Sequence, residues 1–246
     1  MPVCAIRLIA FVVLLLAGAL AVGGLPGCGG TCTCEEAPAG EDEPPVSEGA
    51  DDVGAEDGGF PEHAPGDAGI LVINEVDYDN PGADTQEFIE IHNPGPEDIA
   101  LAGLALVLIN GGSGVEYDRY ALDEAAAVLP AGGYLVIGSA SLLATLPADT
   151  LRLALGGSLQ NGAPDGLALV DTVGARVLDA LSYEGTIIEA QISELSEAVT
   201  LVEGLPTPVV DDNALGSLAR TPNGQDTDVA RDDWQYAPVP TPGASN

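Results

Sequence analysis

From residue 70 onward the sequence is a cadence of short apolar runs rich in Val, Ile and Leu, cut at close intervals by Asn, Gly and Pro. The runs cover residues 70–76, 87–92, 101–109, 115–122, 134–138, 167–171 and 176–182. The cuts include Asn80-Pro81-Gly82, Asn93-Pro94-Gly95, Asn110-Gly111-Gly112, Pro130-Ala131-Gly132-Gly133, Asn161-Gly162 and Asn223-Gly224. Gly and Asn accept positive φ and Pro presets φ, so these are tight-turn signals. Short strands at this spacing, with no long helical period between them, predict an antiparallel sandwich or barrel. Hydrophobic residues make up 46% of the chain and aromatic ones 4%, so aliphatic side chains must fill the core. In Glu87-Phe88-Ile89-Glu90-Ile91-His92 the period of two places Ile89 and Ile91 on one face. Glu90 and His92 fall on the other, which predicts a solvent-facing His92. Residues 187–200 fit two readings: Ile188, Ile192, Leu195 and Val199 have helical spacing, and a strand with a loop also fits.

Charge narrows the partners. The chain has 39 acids against six bases, all arginine, for a net charge of −33. Binding to nucleic acid draws on basic side chains at the phosphates, so nucleic acid is excluded as an expected partner. The same balance argues against docking on anionic lipid through a basic patch. It favours solubility and leaves divalent cations open.

The N-terminal part reads as an address. Residues 5–22 form an apolar run broken by Arg7, short for a membrane span and close to the apolar region of a secretory signal. Leu25-Pro26-Gly27-Cys28 follows and resembles a bacterial lipobox, in which the cysteine becomes lipidated and N-terminal. Ordinary cleavage after Ala19-Leu20-Ala21 and an uncleaved anchor are the alternatives. The expected division is a signal peptide at 1–27, an acidic Pro/Gly linker at 28–69 and a β-sandwich domain at 70–246. Within the linker, residues 35–69 hold twelve acids and no Lys or Arg, and cannot bury enough apolar surface to offset ordering entropy. A disordered tether is expected, with His63 solvated. Of the four cysteines, Cys4 leaves with the signal and Cys28 takes the lipid. Cys32 and Cys34 are too close for an unstrained bridge and too few for zinc.

No catalytic constellation stands out. The domain has no cysteine, one histidine (His92), no Gly-x-Ser-x-Gly elbow and no His-Glu-x-x-His pair. Calcium is the sharper possibility. Asp77, Asp79 and Asp84 share one turn with Asn80, and Asp226 and Asp228 share another. Hard cations want several converging oxygens. Neither loop fits the EF-hand spacing, and Asp or Asn capping a turn through its own backbone explains the same residues. No cofactor is otherwise expected. Arg220, one of few bases, is expected to pair with Asp165, Asp233 or Glu87. Trp234 is expected to close the core, Asn74 and Glu75 to satisfy edge or turn backbone groups, and Asp165 to end a turn.

The ordered set LVINEVDYDNPGADTQEFIEIHNPGPEDIALAGLALVLING, LPAGGYLVIGS, LQNGAPDGLALVD, VLDALSYEG and SLARTPNGQDTDVARDDWQYAPVPTPGASN resembles the lamin-tail domain of bacterial proteins over residues 70–246. That resemblance implies an all-β, immunoglobulin-like antiparallel β-sandwich used for attachment rather than catalysis. Nuclear members of the family are linked to DNA through basic residues. Here five arginines face 27 acids in the domain, so that activity does not carry over. The expected function is a lipid-anchored envelope module, held to the membrane through Cys28, that binds a protein or surface polymer. Export across the inner membrane to an outer-membrane or cell-surface position is expected. A calcium-dependent adhesion module and an accessory domain of an extracellular hydrolase are the alternatives.

Overall fold

The seven apolar runs become strands because each alternates or stays apolar long enough to cover one sheet face or both. A computed structural model describes residues 71–210 and 215–246. The expected signal segment 1–27 and the expected linker 28–69, with Cys28, Cys32, Cys34 and His63, lie outside the described residues. The strands are β1 (Val72–Asp77), β2 (Phe88–His92), β3 (Ile99–Ala100), β4 (Leu104–Asn110), β5 (Val115–Ala121), β6 (Val128–Leu129), β7 (Tyr134–Gly138), β8 (Leu151–Ala154), β9 (Asp165–Asp171), β10 (Arg176–Tyr183), β11 (Ser217–Arg220) and β12 (Trp234–Ala237). Two single-turn helices, α1 (Ala140–Leu143) and α2 (Ala230–Asp233), are interspersed.

Two sheets carry the fold. One has six strands in the order β12-β11-β1-β2-β7-β8, the other four in the order β10-β9-β4-β5, and β3 pairs with β6 in a small third sheet. Pairing is antiparallel throughout except between β7 and β8, which run parallel. The sandwich is therefore all-β as expected but not purely antiparallel: α1 and its following loop carry the chain back so that β8 lies alongside β7 in the same direction.

The main core lies between the sheets. Ile73, Val76, Ile89, Ile91, Leu135, Ile137 and Leu218 from the six-stranded sheet meet Leu106, Leu108, Leu167, Leu169 and Leu181 from the other. A second apolar layer coats the outside of the four-stranded sheet, where Val107, Ile109, Ala168, Val170 and Val177 pack under Ile187, Ala190, Ile192 and Leu201. This explains why β4 and β9 read as continuous apolar runs rather than alternating ones. The covering segment is the ambiguous stretch 187–200. It is irregular, joined by the bridges Ala190 to Val199 and Val115 to Gln191, and Ile188 of the helical pattern points outward.

Three register shifts interrupt the strand pairing, and two of them, in β1 and β10, set which side chains reach the core and the cage. In β1, Ile73 pairs with Ile91 and Glu75 with Glu90, leaving Asn74 as the extra residue. The bulge keeps both Ile73 and Val76 on the core face. In β10, Val177 pairs with Val170 and Asp179 with Leu169, so Leu178 is extra. Val177 then faces the outer layer, while Asp179 is turned toward the space between the sheets.

Turns hold their shape through close backbone approaches. Gly111 donates its N–H to the Pro164 carbonyl at 3.1 Å, and a Cβ on Gly111 would lie 2.2 Å from that oxygen. Gly111→Ala should therefore force the 110–114 and 161–165 turns apart, lowering stability by about 1–3 kcal/mol in urea denaturation. An unchanged midpoint would show that this approach is not needed.

Candidate functional site

Among the described residues, two constellations gather several buried charged side chains, one between the sheets and one on the outside of the larger sheet. The first surrounds Arg220. It points inward from β11, is fully buried, and stacks its guanidinium 5.0 Å from the Trp234 ring centroid. Nε donates to the Ile73 carbonyl at 2.8 Å. One terminal nitrogen reaches Asp179 at 2.7 Å and Glu203 at 3.5 Å. The other reaches the Gln225 carbonyl at 3.2 Å, Asp226 at 3.2 Å and Asp233 at 3.3 Å. Of the expected partners Asp233 is present, whereas Asp165 and Glu87 are engaged elsewhere. Asp165 opens β9 and accepts from Gly162 at 3.1 Å and Gly111 at 3.4 Å. Glu87 accepts from Leu159 at 3.2 Å.

The acids of this cage are themselves held. Asp179 accepts from the Ile73 N–H at 2.6 Å, Glu203 from the Ala180 N–H at 3.1 Å, and Asp233 from Thr227 N–H and Oγ1, both at 2.9 Å. Four carboxyl groups around one guanidinium leave excess negative charge in a buried space. Burial raises Glu203 well above the ordinary carboxylate range, and neighbouring Asp179 adds to that. Glu203 and Asp179 share a side-chain hydrogen bond. Carboxylate oxygens of Asp179, Glu203 and Asp226 approach within 4.8 Å of one another, a spacing a cation could use. Arg220 pairs with all three, so the guanidinium takes the place a metal would occupy.

The second constellation is a socket on the outside of the six-stranded sheet. Glu75 and Glu90 are cross-strand neighbours there, and both are fully buried. The segment 241–246 covers them. Thr241 donates its N–H to Glu75 at 2.9 Å and its Oγ1 to the same carboxylate at 3.1 Å. Gly243 donates its N–H to Glu90 at 2.6 Å. Asn246 Nδ2 reaches the carbonyls of Asn74 and Arg220, both at 3.1 Å, and its N–H reaches Asn223 Oδ1 at 3.1 Å. Asn74 closes the arrangement by donating to Glu90 at 2.8 Å and accepting from the Gly224 N–H at 2.8 Å.

Asn74 and Glu75 thus sit in the middle of the sheet rather than at an edge, and the backbone groups they satisfy belong to the 223–224 turn and the tail. His92 requires a correction: it is buried, stacked 4.4 Å from the Tyr134 ring centroid, with Nδ1 3.0 Å from the Gly133 carbonyl. Alternation put Glu90 and His92 on the correct face, but that face is covered. Trp234 is buried beneath Arg220.

The acidic turns are tied down locally. Asn80 Nδ2 donates to Asp77 at 2.6 Å, Asn80 N–H to Asp84 at 3.1 Å, and Gln86 N–H to Asn80 Oδ1 at 2.7 Å. Asp79 lies half-buried on the same turn. In the other turn Asp226 accepts from the Asp228 N–H at 3.1 Å while facing Arg220, and Asp228 itself has φ +55°. A cleft of about 350 Å³ opens beside the first turn, walled by Phe88, Leu142, Leu215, Pro240 and Pro242 with Asp77 at its rim.

Sequence reasoning missed Asp179, Glu203, Glu90 and the tail as parts of these constellations. The signal for the first two was present: Val177-Leu178-Asp179-Ala180-Leu181 and Leu201-Val202-Glu203 each place one acid inside an apolar run.

Residues 64–185 match the family model of the Lamin Tail Domain. Residues 64–185 belong to the lamin tail domain family. This family is an immunoglobulin-like domain of the binding type, consistent with a non-catalytic interaction module. The matched segment contains β1 through β10; β11, β12, Arg220 and the covering tail follow it in the chain. No curated protein matches the sequence of this chain.

Arg220 is the member of this cage that the others depend on. Arg220→Met should cost about 3–5 kcal/mol in urea denaturation at pH 7, since it leaves buried carboxylates uncompensated. Arg220→Lys should recover little of this, because an ammonium cannot span Ile73, Asp179 and Asp226 together.

The socket generates a pH dependence. Burial pushes Glu90 up to about 8, against hydrogen bonds from Asn74 and Gly243 and with repulsion from Glu75 added. Burial likewise raises Glu75, and pushes Glu87 up to about 7. A carboxyl raised on folding stabilises fully below its unfolded value and loses that contribution as pH rises through its folded value. His92, lowered by burial, acts oppositely and only as pH falls below its ordinary range. The melting temperature should therefore fall between pH 6.5 and 8.5, a window in which exposed carboxylates do not titrate. A flat profile there would contradict the raised values.

Proposed function

We propose that this chain is a lipid-anchored attachment module of the cell envelope: Cys28 carries the lipid, the acidic stretch 28–69 holds the lamin tail domain away from the membrane, and the domain binds a protein or surface polymer without catalysing a reaction. The single observation that carries this reading is the lamin tail domain match, which makes the folded part an immunoglobulin-like binding scaffold. The chemistry of the described residues supports it. The charged groups buried deepest serve structural roles: Arg220 ties the sheets together, Glu75 and Glu90 hold the tail, and His92 hydrogen-bonds a turn carbonyl. The apolar run at 5–22 ahead of Leu25-Pro26-Gly27-Cys28 supports export and lipidation, with an outer-membrane or cell-surface destination. The large negative charge supports a partner that is not nucleic acid.

Cys28→Ser in the full chain tests the anchor. The variant should lose incorporation of labelled fatty acid and move from the membrane to the soluble fraction; unchanged membrane association would remove the lipidation reading. Calcium is tested separately. Because Asp77, Asp84 and Asp226 are engaged as turn caps and ion-pair partners, millimolar Ca²⁺ should leave the melting temperature unchanged. A rise of several degrees that chelator reverses would favour the calcium-dependent adhesion module instead.

A further inference from the structure

The segment Thr241-Pro242-Gly243-Ala244-Ser245-Asn246 is bound to the rest of the molecule as a peptide ligand would be. It forms no strand, and its polar contacts with the domain are hydrogen bonds to groups on the strand β1, the strand β2 and the 220–223 segment. The site comprises the carboxylates of Glu75 and Glu90, the side chain of Asn223 and the backbone carbonyls of Asn74 and Arg220. The carbonyl of Asn74 is available because the β1 bulge takes Asn74 out of register, and the β1–β11 register begins only at Glu75 opposite Ala219. The site also reads sequence. Glu75 takes a backbone N–H and a hydroxyl from one residue, which selects Thr or Ser. Gly243 has φ +84°, and a Cβ there would lie 2.5 Å from Thr150 Oγ1, which selects Gly. Two carbonyls converge on one side-chain amide, which selects Asn or Gln.

The connection to β12 is Pro238-Val239-Pro240, in which Val239 is 71% exposed, so opening it uncovers no core. Withdrawal of the tail would remove the Thr241 and Gly243 donors and leave Glu75 with the Ser217 hydroxyl and Glu90 with Asn74 Nδ2, so a socket emptied of one tail lacks donors that another such segment supplies.

We propose that the socket formed by Asn74, Glu75, Glu90, Asn223 and the Arg220 carbonyl is a peptide-binding site for Thr-Pro-Gly-x-x-Asn segments, filled in cis by residues 241–246 and able to take the same segment in trans from a second copy of this chain. Reciprocal exchange between two copies makes a closed two-fold pair with every contact of the single copy preserved. The proposal does not depend on the lipid anchor or on the identity of the envelope partner.

Two experiments on the full chain test it. In the first, a protease site is placed within Pro238-Val239-Pro240 and cut, so that the tethered tail loses its effective concentration, on the order of millimolar. Fluorescein-labelled Thr-Pro-Gly-Ala-Ser-Asn should then bind the cut protein, and unlabelled peptide should compete. Peptides with the Gly replaced by Val or the Asn by Ala should bind about tenfold more weakly or worse. A cut protein that keeps its tryptophan emission and takes up no labelled peptide overturns the proposal; so does one that unfolds on cutting and is not restored by added peptide. In the second, Pro238 and Val239 are deleted, which removes roughly 7 Å of reach. The tail then cannot seat in its own socket, and sedimentation should show a dimer that adding the free peptide converts to monomer. A folded monomer, or a dimer that the peptide leaves intact, overturns exchange in trans.

Discussion

The pairing of Arg220 with Asp179 holds the two sheets in one relation to each other. The arginine comes from the six-stranded sheet and the aspartate from the four-stranded sheet, and both are wholly buried. Dispersion between aliphatic side chains is non-directional and tolerates sliding; a planar guanidinium held by Ile73, Asp179, Asp226 and Asp233 does not. A buried ion pair is a poor source of net stability, because desolvation cancels much of its attraction. Its value here is geometric. It places β11 beside β1, seats Trp234 over the guanidinium, and requires the bulge that turns Asp179 inward.

The outside of each sheet is covered as well, by different chemistry. The four-stranded sheet is sealed by aliphatic contacts with the 187–201 segment. The six-stranded sheet carries an apolar patch of Phe88, Val136, Leu142 and Leu146 next to the polar socket for the tail. Placing Glu75 opposite Glu90 in that socket would be unfavourable for two ionised groups. Raised affinity for protons and the N–H donors of the tail together make the arrangement tolerable. The chain thus uses acids as internal fasteners, although one so acidic has many to spare for the surface.

The main strands were legible because hydrophobic period and turn chemistry agree: β2, β4, β7 and β10 each coincide with an apolar run closed by Asn, Gly or Pro. The two-residue strands β3 and β6 carry too few residues to show any period. β8 (Leu151–Ala154) contains Arg152, whose guanidinium caps carbonyls of Leu143, Leu146 and Pro147, and so interrupts an otherwise apolar run. The face of Glu90 and His92 was read correctly but not their burial, because what covers them lies some 150 residues later. Period reveals which side a residue faces; it carries no information about what arrives on that side. The partners of Arg220 were hidden for the same reason. Asp179 reaches the cage only through a bulge, which shifts parity by one and which no residue type at Leu178 announces.

β1 has one further consequence. Its neighbours include Arg220, Thr241 and Asn246, between 147 and 172 positions downstream, while Asp179 bonds its Ile73 N–H from 106 positions away. A strand that emerges early from the ribosome must wait for nearly all of the following polypeptide before its sheet position, its bulge carbonyl and its acids are satisfied. Closure over such separations is slow and comes after most of the chain has been synthesised. The delay keeps the nascent polypeptide unfolded for longer.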